Sequence, residues 1–126
     1  MKLTGDNFID GAFEYLASNG SLLVVAADSS TSFAAVDSTG DTRVLAVHAL
    51  TTADYTIQNG DASGRKVTIS SQDSVDIVRS GTAENLYILD TGNSEILLVT
   101  SITTQALTTG NKVNIPSFDD EIADPT

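Results

Sequence analysis

Asn59, Asp61, Ser63 and Gly64 set oxygen-bearing side chains at alternate positions with a glycine at the bend, the spacing by which an EF-hand-type loop wraps calcium. Such a loop closes with a bidentate Glu at its twelfth position, and Ser70 stands there instead. Strand-like rather than helix-like sequence flanks the segment, so Asn59–Gly64 reads as a turn. Asp119, Asp120, Glu121 and Asp124 form a second set of hard oxygen donors, and an acidic run of that kind is usually a solvated end. No metal and no cofactor is assigned to either set.

Nucleophilic and acid–base chemistry finds little to work with. His48, the only histidine, sits inside the apolar run VLAVHAL with no sequence-local residue to orient its ring. A serine triad needs that orienting group and a serine on a sharp turn, and no G-x-S-x-G occurs. Carboxylates are plentiful, but glycosidase chemistry requires one of a pair to be desolvated in a cleft. Neither G-x-x-x-x-G-K-[ST] nor G-x-G-x-x-G is present to cradle phosphate. Lys66 beside a neighbouring Asp or Asn offers an intramolecular isopeptide link of the surface-adhesin kind. The chain is expected to be non-enzymatic, with no catalytic residue.

The elements that hold these residues are mostly strands. Asp6–Ser18 is the one good helix: Phe8, Ile9, Ala12, Phe13 and Leu16 recur at helical spacing, and Asn19-Gly20 stops it, Gly20 being suited to the left-handed position after a helix. Ser21–Ala27 is a fresh apolar strand, and Asp28–Thr42 is an ordered loop or single helical turn anchored only by Phe33, Ala34, Ala35 and Val36. Arg43–Leu50 and Asp54–Gln58 follow as strands. The turn Asn59–Gly64 then joins Asp54–Gln58 to Arg65–Ser70 in a hairpin, and Ser74–Arg79 is a short strand. Asn85–Phe118 reads as a meander of three strands cut by two turns, apolar on both faces. Leu23, Val25, Val67, Ile69, Leu86, Ile88, Leu97 and Val99 are the expected core. Residues 1–126 form a single domain: helix 6–18, β region 21–118 and an exposed acidic tail, 119–126. The class is mainly β, an antiparallel β-sandwich or barrel-like domain of about seven or eight strands with one N-terminal helix.

Composition agrees and excludes partners. Aromatics are 6% of the 126 residues and Trp is absent, so aliphatic side chains fill the core. Seventeen acidic against six basic residues give a formal charge of −11, which repels a phosphate backbone and anionic lipid. Nucleic acid and membrane are not expected partners. No apolar run approaches the roughly 18 residues of a membrane span. The first 20 residues lack a basic start and small-residue cleavage site, and there is no Cys, so secretory export and disulfides are not expected.

Taken as a unit, SGRKVTIS at Ser63–Ser70, the run Ser80–Phe118 and the terminal EIADPT resemble a recurrent small structural protein encoded among the virion genes of tailed bacteriophages. The likeness covers about the last half of the chain and rests on strands and turns, not on a catalytic signature. It implies a virion component assembled in the host cytoplasm. With the acidic charge it points to capsid decoration, a cement bound outside the head to the major capsid protein or other virion proteins. The resemblance implies a homo-oligomer, with a trimer favoured. A neck or tail component, or a receptor-binding fibre module, is the alternative.

Overall fold

The computed structural model describes residues 5–27, 32–37 and 42–124. In chain order these form α1 (Asp6–Asn19), β1 (Leu22–Ala26), α2 (Phe33–Val36), β2 (Val44–Ala49), a single 3-10 turn (Thr52–Asp54), β3 (Tyr55–Asn59), β4 (Arg65–Ile69), β5 (Gln72–Asp76), β6 (Gly81–Asp90), β7 (Glu95–Leu107), β8 (Lys112–Ile115) and β9 (Phe118–Ile122). The chain is mainly β and antiparallel, with one long N-terminal helix, in a sandwich-like arrangement.

Aliphatic strands make the central sheet, ordered β2-β1-β6-β7, in which β1 and the Leu86–Leu89 part of β6 are buried on both faces. On one face Leu23, Val25, Leu86 and Ile88 join the main core, which also takes Val67 and Ile69 of β4 and Ile9, Phe13 and Leu16 of α1. On the other face Val24, Ala26, Val44, Tyr87 and Leu89 are covered by Phe33 and Val36 of α2. That explains the continuous apolar run Leu86–Leu89: a strand covered on both sides has no wet face to alternate with. Opposite the central sheet lies a three-stranded sheet, β3-β4-β9, and a two-stranded ladder, β5-β8, completes the wall. Arg65 on β4 fastens α1 to this layer through Asp10, at 2.8 Å and 3.2 Å.

Bulges set the edges. In the β1–β2 pair Val25 faces Ala46 and Ala26 faces Val44, leaving Leu45 as the extra residue. Its carbonyl accepts the N–H groups of Val78 and Arg79, and Ala46 bridges Ile77, so residues 77–79 cover the outer side of β2.

Several expectations are corrected. Within the 119–126 segment Asp119, Glu121 and Ile122 are exposed as expected, but they are not a free tail: Phe118–Ile122 forms β9, which pairs with β4, where Lys66 bonds Asp119 and lies opposite Glu121. Pro125 and Thr126 lie outside the described residues. The third run of the expected meander, β8, pairs with β5 rather than β7. Leu97 is only half-buried and Val99 is 44% exposed, since both lie on an edge strand and Leu97 is the extra residue of a bulge between Ile88 and Leu89. The strand expected at Ser74–Arg79 is shifted back to Gln72–Asp76. Phe8 is 82% exposed, leaving Ile9, Phe13 and Leu16 as the buried stripe of α1. Gly20 is not left-handed, with φ −74°; what demands glycine is crowding, because a Cβ there would collide with the Tyr55 hydroxyl and lie 2.7 Å from the Leu16 carbonyl oxygen. The single helical turn expected within Asp28–Thr42 is α2, while residues 28–31 and 38–41 lie outside the described residues.

Candidate binding groove

Each of the three oxygen-bearing side chains of the calcium-like turn already has a protein partner. Asn59 Oδ1 accepts from Arg65 Nη1 at 2.7 Å, Asp61 Oδ1 from Lys66 Nζ at 2.7 Å, and Ser63 Oγ from the Asp124 N–H at 3.1 Å. The Asp61 N–H donates to Glu121 Oε2, so the turn braces the end of β9. Among the described residues no three His, Cys, Asp or Glu side chains cluster as metal ligands. Lys66 lies between Asp61 and Asp119, which hold its ammonium above the usual lysine range, chiefly through the hydrogen bond to Asp61. A protonated amine has no lone pair to attack a carboxyl, so the arrangement is an ion pair rather than a poised isopeptide. His48 sits half-buried on β2 opposite Leu23, a strand position.

The most bonded carboxylate is structural. Asp54 accepts from the Thr51 N–H at 2.8 Å, from Ser70 Oγ at 2.9 Å and from Gln72 Nε2 at 3.1 Å, closing the turn that starts β3. The backbone donor of Thr51 lowers its pKa most, against an opposing push from burial and with further help from Gln72 and Ser70.

Space for a partner opens elsewhere, along β7. A groove of ≈ 330 Å³ runs beside its C-terminal half, lined by Thr100, Ile102 and Leu107 on one side and Val113, Pro116 and Phe118 on the other, with Val25 and Leu86 at the floor. No ionisable side chain lines it; Thr100, Ser101, Thr103, Gln105 and Asn114 supply its polar atoms. A second hollow of ≈ 180 Å³ lies by the other half, between Leu97 and Leu98 of β7, Phe13 and Tyr15 of α1, and Ile122. Asp120 points into this apolar surround, and burial raises its pKa, partly offset by a backbone hydrogen bond from Glu121.

The two carboxylates therefore act on stability with opposite sign. Asp54, lowered on folding, contributes stability above the ordinary carboxylate pKa of about 3.9, lost as pH falls through its folded value. Asp120, raised on folding, is favourable only below about 3.9 and opposes folding once pH rises through its folded value. Asp120→Asn is expected to raise the melting temperature at pH 7 and lose that gain in acid, whereas Asp54→Asn lowers it at pH 7 and narrows the loss in acid. Melting curves from pH 3 to about 7 check both signs against the ordinary carboxylate value.

Sequence reasoning missed the groove residues Thr100–Leu107 and Val113–Phe118 as a site. The readable signal was the absence of charge from Ile96 to Leu107. No family model matches the chain, and comparison with curated proteins and with solved structures finds no match.

Proposed function

We propose that the protein is a non-enzymatic bacteriophage virion component, a decoration protein that binds the outside of the head as a homo-oligomer and stabilises it. The observation that carries this reading is the groove along β7, which is apolar, open and without an ionisable side chain: it fits binding rather than turnover. The charge of −11 supports a place away from packaged DNA. The pattern of strands and turns over Ser63–Ser70 and Ser80–Phe118 supports a virion origin. Purified protein is expected to rebind particles stripped of it, to raise their resistance to heat, and to turn over no ester, glycoside or phosphodiester. Binding to tails or to host cells, with none to stripped heads, would move the assignment to a neck, tail or fibre component.

A further inference from the structure

A sheet edge carries unpaired backbone donors and acceptors, and proteins normally blunt it with charge, proline, shortness or a covering segment. The other edges among the described residues are blunted in these ways. β2 is six residues long and is covered along Val44–Ala46 by residues 77–79. β9 carries Asp119, Asp120 and Glu121. β3 is five residues long, β5 is five residues long with Asp73 and Asp76, and β8 is four residues long with Lys112 at its start. β7 differs in each of these respects, and its two register breaks leave Leu98–Ser101 as a regular segment between them. It is 13 residues long, has β6 as its ladder partner on one side only, contains no proline, and bears no charge after Glu95. Val99 is exposed upon it.

We infer that β7 pairs with β7 of a second copy of this chain, antiparallel across a twofold axis near Val99 and Thr100, joining two four-stranded sheets into one. The strand itself selects the occupant: a neutral edge paired antiparallel with its own copy is self-complementary, and Ile96–Leu107 is the stretch where two molecules of −11 meet without carboxylates facing each other. Charge selects the direction. Antiparallel pairing about this axis sets Glu95 against the neutral stretch Thr103–Gln105 of the other copy, whereas in-register parallel pairing would set Glu95 against itself. The straight part of the ladder agrees with the axis, because Leu98–Ser101 lies between the two register breaks of β7 and is the regular segment available to pair. Antiparallel pairing of identical strands is a twofold operation, so the edge favours a dimer over the trimer that the resemblance implies.

Sedimentation and cross-linking of the full chain test this pairing, while rebinding to stripped heads tests the virion reading separately. At about 100 μM wild-type protein is expected to sediment as a dimer, since even a micromolar Kd leaves most of it paired. Val99→Lys and Ser101→Lys, both at exposed positions, should weaken the dimer at least about tenfold with unchanged circular dichroism, because a lysine on an edge strand opposes strand addition and the twofold brings the two copies' charges close together. Val78→Lys, at an exposed position outside β7, should leave the dimer intact. The chain has no cysteine, so Val99→Cys should give a disulfide-linked dimer on mild oxidation with no competing thiol. A monomer or trimer in the wild type overturns the inference. So does a dimer that neither Lys variant disturbs and Val99→Cys does not trap.

Discussion

Ile88→Ala is expected to lower the unfolding free energy by about 2–5 kcal/mol, the range for truncating a buried isoleucine. Ile88 is 1% exposed and sits mid-sheet, opposite Leu23 of β1 on one side and Leu98 of β7 on the other. Its Cγ2 also closes against Gly20, where α1 hands over to β1. Collapse around a cavity here is restricted, because the neighbours are held by two ladders and by the Tyr55 hydroxyl, which donates to the Gly20 carbonyl at 2.8 Å. Val99→Ala, eleven positions on but 44% exposed, should change stability far less. Urea unfolding checks both: the midpoint falls for Ile88→Ala with an unchanged slope. An unmoved midpoint would mean that Ile88 does not carry the core.

The contrast between Ile88 and Val99 shows what the sequence could reveal. The run at β6 and the run at β7 look alike as strings of Leu, Ile and Val, and local pattern marks both as strands. It does not mark which is central. That depends on sheet order, which places β6 between β1 and β7 and leaves β7 outside. The bulge that makes Leu97 an extra residue breaks the two-residue period, so face assignment from alternation drifts along the strand. Hence Leu86 and Ile88 were readable as core while Leu97 and Val99 were not.

Partner choice was equally hidden for β8 and β9. FDDEI has the composition of a solvated end, and its position beside Lys66, which lies opposite Glu121 and bonds Asp119, favours the acidic residues on a strand. That lysine is more than fifty positions away, and no local rule connects them. The groove follows from the same long-range choice. Because β8 turns to β5 and β9 to β4, neither pairs with β7, and Pro116 and Phe118 face Thr100 and Ile102 across open space. The neutrality of Ile96–Leu107 was visible; its being an edge was not.

Gly64→Ala is expected to cost about 2–5 kcal/mol, from two causes that a control can separate. Gly64 has φ +69°, and a non-glycine residue in the left-handed region loses about 1–2 kcal/mol. A Cβ there would also collide with the Ile122 carbonyl oxygen and come within 2.9 Å of Ala123 Cα, adding an overpacking cost of about 1–3 kcal/mol. The collision is with backbone, so no side chain can swing aside, and the end of β9 must leave Arg65 of β4. Gly110 has φ +91° but open space where its Cβ would be. Gly110→Ala therefore measures the backbone preference alone, about 1–2 kcal/mol. The difference between the two variants is the clash, and it should be local: amide exchange should quicken in Asp119–Ile122 of Gly64→Ala while β1 and β6 stay protected. Equal losses in the two variants would mean that β9 is not pressed against the turn, and that its pairing with β4 is weaker than the register implies.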